Sequence, residues 1–157
     1  LFENREGQFH NVSAHSGPVF EKRFNARGLA VGDLDNDGDL DVVICINGGS
    51  PLLLRNEGGN RANWVGLRLR PTVSNSASEG AILRWSAGGK QYRRLRISGG
   101  SYLSSHDPRE ILGLGKATMI ENLEITWPSG RVSRIAKPLL NRYSEVVEPV
   151  SFPVNET

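Results

Sequence analysis

The stretch Asp33-Leu34-Asp35-Asn36-Asp37-Gly38-Asp39-Leu40-Asp41 carries an aspartate at every second position, five in nine residues. All five side chains are charged at neutral pH, and two such charges about 4 Å apart repel by roughly 4 kcal/mol at an effective dielectric near 20. A loop that folds several of them towards one point is therefore unstable unless a cation neutralises them. Anionic oxygen ligands suit Ca²⁺, which accepts about 6–8 oxygens in a flexible geometry, better than Mg²⁺, which demands a near-octahedral shell.

The same stretch begins like an EF-hand loop, with side chains at the first, third and fifth positions, glycine at the sixth and a carbonyl at the seventh. An EF-hand ends with glutamate at its twelfth position, which here is Ile44. The flanks, Leu29-Ala30-Val31 and Val42 to Ile46, are short β-branched runs bounded by glycines, which indicates strands rather than helices. The alternative is an acidic surface turn held by Asx hydrogen bonds, which needs only one or two aspartates. We predict a Ca²⁺ site with side-chain oxygens and one backbone carbonyl, that of Asp39; the metal ligands are Asp33, Asp35, Asp37, Asp39 and Asp41.

Composition favours a turn-rich, all-β chain, because 157 residues include 18 glycines and only 38% hydrophobic residues. No apolar run reaches the roughly 18 residues that a membrane-spanning helix needs. The single cysteine, Cys45, excludes an internal disulfide, and its apolar surroundings in the sequence predict a buried, inert thiol. Charge is uneven: residues 1–60 hold 5 Lys/Arg and 9 Asp/Glu, a net of −4, and residues 61–157 hold 14 and 8, a net of +6.

Two modules are predicted. Leu1 to Gly7 resembles Leu53 to Gly59 at an offset of 52 residues, a period typical of propeller repeats. About four short strands between these copies indicate one propeller-type blade. Beyond the polar joint at 60–63, several short alternating strands with glycine and proline turns predict an antiparallel β-sandwich or barrel-like domain. The predicted boundaries are 1–60 for the blade with its calcium hairpin, 61–148 for the second module and 149–157 for a tail.

The motifs resemble known families. The first 60 residues are similar to an FG-GAP/VCBS repeat, through Leu-Phe-x-Asn, Gly-x-Phe and Asp-x-Asp-x-Asp-Gly-x-x-Asp. The remainder resembles the ASPIC/UnbV domain through an ordered series of short pieces: Asn63-Trp64-Val65, Ser74-Asn75, Gly80-Ala81, Gly99 to Ser104, Gly113-Leu114-Gly115 and Trp127 to Gly130. This pairing is similar to the C-terminal part of cartilage acidic protein-like proteins, which are secreted or cell-surface proteins. The resemblance implies that most of a propeller is absent from this sequence, and it assigns no catalytic residue.

Several residue sets have competing interpretations. Ser101, His106 and Asp107 could suggest a catalytic triad, but no Gly-x-Ser-x-Gly elbow is present, and we interpret their segment as a glycine-rich turn. Trp64, Trp85 and Trp127 are expected in the core, with a sugar-binding platform as the alternative. Asn11 and Asn155 fit glycosylation sequons. A group of arginines is expected on a solvated sheet face, with a basic stripe that binds sulfated glycan, acidic matrix or another anionic partner as the alternative: Arg68, Arg70, Arg84, Arg93, Arg94 and Arg96.

The favoured functional hypothesis is a calcium-binding, non-enzymatic, extracellular adhesion or structural module. It would be secreted or at the cell surface and would meet a protein or glycan partner there. One alternative is a subunit of an extracellular filament or sheath, assembled by β-strand addition and hence self-associating. Another is a carbohydrate-binding or enzyme-accessory domain, with the arginines and the 98–108 loop as its site. Nucleic acid is not expected as a partner, because aromatic residues do not interleave with the arginines.

Overall fold

Short strands make up almost all regular structure in the computed structural model, which describes residues 1–151. For description, residues 1–60 are called the N-terminal module and those from residue 61 onward the C-terminal module. The strands of the N-terminal module are β1 (Phe2–Arg5), β2 (Gln8–Asn11), β3 (Ala26–Gly32), β4 (Asp41–Ile46) and β5 (Leu52–Leu54). In the C-terminal module, from residue 61 onward, they are β6 (Asn63–Arg70), β7 (Ile82–Ala87), β8 (Lys90–Leu95), β9 (Gly100–Ser101), β10 (Ser104–Ser105), β11 (Glu110–Gly115), β12 (Asn122–Thr126), β13 (Val132–Arg134) and β14 (Tyr143–Val147). Single 3₁₀ turns lie at Ser13–His15, Pro18–Glu21 and Gly59–Arg61.

The blade of the N-terminal module is an antiparallel sheet of three strands in the order β3-β4-β5. The fourth predicted strand, β2, instead pairs with β1 in a separate hairpin, in which Phe2 lies opposite Asn11. Both strands of this hairpin are exposed along their whole length. The expectation of about four blade strands was therefore one too many for this sheet.

Cys45 is exposed, so the prediction of a buried thiol was wrong. β5 pairs only with Val42, Val43 and Ile44 of β4, and Cys45 lies beyond the end of that pairing. β3 still pairs with the end of β4, where Ala26 lies opposite Ile46. Neither the apolar sequence environment nor this pairing buries the Cys45 side chain, because burial depends on what covers the face of the sheet.

The C-terminal module is a sandwich of two facing sheets, with strand orders β11-β6-β14 and β13-β12-β7-β8. Its pairs are antiparallel except one, since β14 runs parallel to β6. Within residues 1–151 no sheet closes into a barrel, so of the two predicted forms the sandwich is the one observed. The all-β class is confirmed. One of the predicted glycine turns is the Gly88-Gly89 hairpin turn between β7 and β8, in which both glycines have positive φ.

The core lies between the two sheets and follows the period-two alternation of their strands. Its buried members are Val65, Leu67, Leu83, Trp85, Ala87, Leu112, Leu114, Ile120, Leu123, Ile125 and Trp127. Trp85 and Trp127 are thus core residues, as expected. Trp64 is also buried, but it lies outside this cluster, against the N-terminal module.

The predicted arginines do not form one stripe, because their strands belong to different sheets. Arg68 and Arg70 lie on β6, whereas Arg84 and Arg93 face each other across β7 and β8 of the opposite sheet. Arg94, on β8, and Arg96, directly beyond that strand, extend to the opposite sheet. There both pair with the Glu110 carboxylate of β11. The basic-stripe hypothesis is wrong for this set as a whole.

A buried carboxylate at the end of β14 organises the long loop after β6. Glu148 accepts hydrogen bonds from the backbone N–H groups of Thr72, Val73 and Ser74 at 2.8 Å each. The hydroxyls of Ser74 and Ser129 also donate to it. Burial alone would raise the pKa of this carboxyl, but the hydrogen bonds from Ser129, Ser74 and the loop backbone outweigh burial and hold the pKa well below its usual range.

Among the described residues, no helix has the length and apolar character needed to cross a membrane. The second sequon residue, Asn155, and most of the predicted tail lie outside the described residues. Asn11 of the first sequon is exposed at the end of β2, where its side chain accepts the N–H of Ser13.

Candidate metal centre

The aspartate loop connects β3 to β4, as predicted, and its ends are held together by the pairing of Gly32 with Asp41. A tight reversal inside the loop requires positive φ at Asn36 (64°) and Gly38 (96°). The carboxylates of Asp33, Asp35 and Asp37 come together, each offering one oxygen within 4.8 Å of the others. Three of the five predicted ligands therefore converge on one point.

Asp33 is the buried member of this group and has no solvent exposure. Its Oδ1 accepts the backbone N–H of Asp37, and its Oδ2 accepts that of Gly38, both at 3.0 Å. Oδ2 also accepts the hydroxyl of Tyr143 at 2.6 Å. The loop backbone thus wraps around this carboxylate and is held in place by it.

Asp39 and Asp41 are buried as well, but their side chains are used to anchor the loop. Asp41 accepts the N–H of Leu34 through Oδ2 at 3.0 Å and that of Asn56 through Oδ1 at 2.9 Å. Asp39 accepts the N–H of Gly59 at 3.0 Å. Neither belongs to the group of three converging carboxylates, and their part in metal binding stays a prediction.

The donor set fits a hard divalent cation. All three converging side chains are carboxylates, and no nitrogen or sulfur ligand joins them among residues 1–151. One cation already lies beside the group, since Arg55 contacts Asp35 at 2.9 Å, but this arginine is more than half exposed. This solvent-screened guanidinium compensates the mutual repulsion of three carboxylates only weakly. The Arg109 guanidinium also reaches the loop at the Asp33 carbonyl, but its charge is already paired with Asp107.

The C-terminal module packs directly on the loop, which sequence reasoning did not foresee. A Cβ placed on Gly38 would lie 1.9 Å from Cε2 of Trp64, so the indole fills the space under the loop. Trp64 meets the ring of Tyr143 edge-on, with centroids 5.3 Å apart. Tyr143 is 110 residues from Asp33 in the chain, and no spacing or motif in the sequence signals the contact.

Arg109 forms a second link to the loop. Its guanidinium donates to the backbone oxygen of Asp33 and to the side-chain oxygen of Asn36. It also lies 4.4 Å above the ring of Tyr143 and pairs with Asp107 at 2.6 Å. This arginine therefore connects the loop, the aromatic pair and the 100–107 segment in one contact network.

The residues considered as a triad serve a different role, because each is used in contacts at the module interface. The Oγ of Ser101 accepts the N–H of Leu29, and Nδ1 of His106 accepts the N–H of Val31, both at 3.2 Å. The N–H of Asp107 donates to the carbonyl of Val31 at 2.9 Å. The edge of β3 is thus covered by the segment that contains β9 and β10.

Ionisation at this interface follows the same contacts. Burial, and then the hydrogen bond to Asp33, raise the pKa of the Tyr143 hydroxyl. Burial opposes ionisation of Asp107, but its bonds with Arg109 prevail and lower the pKa of that carboxyl. The hydrogen bond to Asp107 in turn raises the pKa of Arg109 against the effect of burial. The interface is therefore built from a neutral phenol and a charged pair at neutral pH.

Comparison with known proteins agrees with this architecture. A family profile described as ASPIC and UnbV matches residues 71–151, and one described as an FG-GAP-like repeat matches residues 1–44. Cartilage acidic protein 1 from Homo sapiens is 30% identical over 139 residues, and the proteins of the same name from Mus musculus and Xenopus tropicalis are 29% and 27% identical. Each alignment covers 85% of this chain and 21% of the relative, so the chain spans about a fifth of the length of these relatives. The chain belongs to the ASPIC and UnbV family, with an FG-GAP-like repeat preceding that domain.

Proposed function

We propose that this chain is a calcium-binding, non-enzymatic, extracellular module with an adhesive or structural role. Asp33, Asp35 and Asp37 would hold Ca²⁺ through side-chain oxygens, Asp41 through a further carboxylate oxygen and Asp39 through its backbone carbonyl. The bound ion would supply the positive charge that the converging carboxylates need. The division at residue 61 is part of the same proposal, with the cation loop in the first module and the sandwich in the second.

The observation that carries the proposal is the convergence of three carboxylate oxygens within 4.8 Å around Asp33, which is fully buried. Carboxylates at such distances repel strongly when the local dielectric is low. The repeat type adds support, because the Asp-x-Asp-x-Asp-Gly pattern resembles repeats that bind calcium. An affinity of about 10⁻⁴–10⁻³ M, typical of extracellular modules, would suit a site with partly exposed ligands.

The extracellular, adhesive role rests on the relatives. Proteins named cartilage acidic protein 1 share the pairing of modules found here. A non-enzymatic role is supported by the use of Ser101, His106 and Asp107 in module contacts, where each side chain already bonds to β3 or to Arg109. We expect the binding partner to be a protein or a glycan of the matrix or cell surface.

Thermal unfolding with and without a chelator tests the calcium proposal. At free Ca²⁺ about 100-fold above Kd, binding stabilises the fold by about 2.7 kcal/mol, which for a chain of this size is roughly 8 °C in melting temperature. Asp37→Asn should reduce this calcium-dependent increase by more than half, because it removes one charged ligand.

Glu3→Gln is the matched control, since Glu3 is an exposed acid that pairs with Arg5 in the β1-β2 hairpin, outside the converging group. It should keep the full calcium response. A melting temperature that is the same in EDTA and at free Ca²⁺ about 100-fold above the proposed Kd would contradict the proposal, and an equal response to Mg²⁺ would contradict the assignment of the ion.

A second candidate function, glycan binding, is favoured by a groove of about 760 Å³ on the outer face of the β13-β12-β7-β8 sheet. Three arginines line it together with two glutamates, one of which pairs with Arg134: Arg84, Arg93, Arg134, Glu121 and Glu124. Binding to acidic members of a glycan array that persists in EDTA would support this function. Among residues 1–151, the filament alternative keeps the β5 edge of the blade, because the β3 edge is covered. Sedimentation as a monomer at high concentration would exclude this alternative.

A further inference from the structure

We infer that Tyr143 of the C-terminal module is a positioning residue for the cation loop, so that docking of the two modules sets the affinity for the ion. The inference rests on the calcium-binding function proposed above. The sandwich contributes none of the converging carboxylates, yet by this inference it controls the metal site that they form.

The hydrogen bonds that Asp33 already accepts decide which of its carboxylate oxygens is available to a cation. A carboxylate oxygen has about two acceptor positions. Oδ2 is filled by the N–H of Gly38 and the hydroxyl of Tyr143, whereas Oδ1 accepts only the N–H of Asp37 among the described residues. Asp33 therefore offers Oδ1 to a cation, and the phenol fixes which oxygen remains available.

The phenol itself is rigidly positioned. The Tyr143 ring is held edge-on by Trp64 and covered by the Arg109 guanidinium, at centroid distances of 5.3 and 4.4 Å. The same two residues contact the loop independently, Trp64 beneath Gly38 and Arg109 at the carbonyl of Asp33. Asp33 is thus oriented by a phenol that two other residues of the C-terminal module hold in place.

Docking of the two modules and binding of the ion are thermodynamically linked. If module docking orients Asp33 for the ion, then the ion must stabilise docking by the same factor, since coupling between two equilibria is reciprocal. Partners that orient a ligand from outside the coordination shell typically change metal affinity by about 10–100-fold when removed. For a single hydroxyl we expect the lower end of this range.

The test is calorimetric titration of the whole chain with CaCl₂ alone, for the wild type, Tyr143→Phe and Tyr92→Phe. Tyr143→Phe removes the hydroxyl but keeps the ring between Trp64 and Arg109, and Kd should increase about tenfold. Tyr92→Phe is the matched control, because this partly buried tyrosine stacks on Trp85 within the sandwich. Its Kd should equal that of the wild type.

The titrations are run at 15 °C, and circular dichroism checks that each variant is folded. Because only folded protein is compared, a hydroxyl that merely stabilises the fold would leave Kd unchanged. Trp64 fluorescence, assigned by subtracting the signal of Trp64→Phe, should respond to Ca²⁺ in the wild type. A Kd for Tyr143→Phe within twofold of a measurable wild-type Kd overturns the inference and leaves the proposed function intact. Absence of saturable binding to the wild type overturns both.

Discussion

At the residue scale, the loop depends on one glycine and one aspartate that have no substitutes. Gly38 has a φ of 96°, and the Trp64 indole lies directly beneath it. Any side chain at this position would therefore both strain the backbone and clash with the indole. Asp33 accepts three hydrogen bonds from the loop and from Tyr143. The Asp-x-Asp-x-Asp-Gly pattern shows the need for a turn at Gly38, but not the contact with Trp64.

Gly38→Ala should destabilise the fold by roughly 2–5 kcal/mol, because an L-residue in this region costs about 1–2 kcal/mol and overpacking against Trp64 adds about 1–3 kcal/mol. Gly48→Ala is the control: its φ is also positive, at 76°, but nothing lies within 4 Å of the new Cβ. It should cost only about 1–2 kcal/mol. Urea unfolding measures both, and equal losses would contradict the contact of Trp64 with the loop.

At the element scale, the two ends of β14 hold two different loops. Tyr143 at its start reaches the cation loop, and Glu148, directly after its last residue, holds the 72–74 backbone. Its parallel pairing with β6 makes this possible, because it places both ends of β14 beside the long loop connections rather than in a hairpin. One short strand thereby orders two loops that are distant in sequence.

Glu148→Gln should cost about 3 kcal/mol, since an amide N–H₂ would face the N–H groups that now donate to a buried carboxylate. Glu145→Gln on the same strand is the control. Its side chain is 45% exposed in a surface pair with Arg70, and such pairs contribute about 0–1 kcal/mol. Urea unfolding at pH 7 compares the two variants. Similar losses of unfolding free energy would contradict the buried, hydrogen-bonded position of Glu148.

The same carboxylate predicts an acid-labile contribution to stability. The pKa of Glu148 is lower in the folded chain than its unfolded value of about 4.3, so its contribution is fully present above that pH. The contribution declines as pH falls below about 4.3 and is lost as pH passes through the folded pKa. The stability difference between wild type and Glu148→Gln should therefore shrink from pH 5 to pH 3, and a constant difference would contradict the assignment.

At the scale of the whole molecule, the two modules act as one unit. Hydrogen bonds from the 101–107 segment cover the β3 edge, and Tyr143 and Arg109 hold the cation loop. An edge strand that would otherwise present unpaired N–H groups is thereby closed within the chain. The arrangement also explains why a three-stranded blade, which has little core of its own, can be ordered here.

Hydrogen exchange should reveal this coupling. The amides of Leu29 and Val31 donate to side chains of the C-terminal module, so they should exchange only when the modules separate. Ser101→Ala should release Leu29 while Val31 keeps its protection, because His106 is untouched. Exchange of both amides at the rate of an exposed strand edge in the wild type would contradict the interface.

The sequence by itself determined the strands, the turns and the aspartate loop, because these depend on local physics. Alternation from Leu67 to Arg70 in β6, the Gly88-Gly89 turn and the spacing of Asp33, Asp35 and Asp37 all act over a few residues, and the structure has each of them. The exposure of Cys45 was mispredicted, and the alternative of one basic stripe for the arginines was wrong, since both depend on how the sheets are arranged in the tertiary structure.

Only the tertiary structure decided what surrounds the loop. Tyr143, Trp64 and Arg109 reach it from separate parts of the chain, and each contact exists because the sandwich packs against β3 in one particular orientation. Such contacts leave no periodic or compositional trace, because a phenol that bonds to a carboxylate 110 residues away has the same local sequence as one that does not. Packing between modules, rather than the pattern within either of them, brings these groups to the loop.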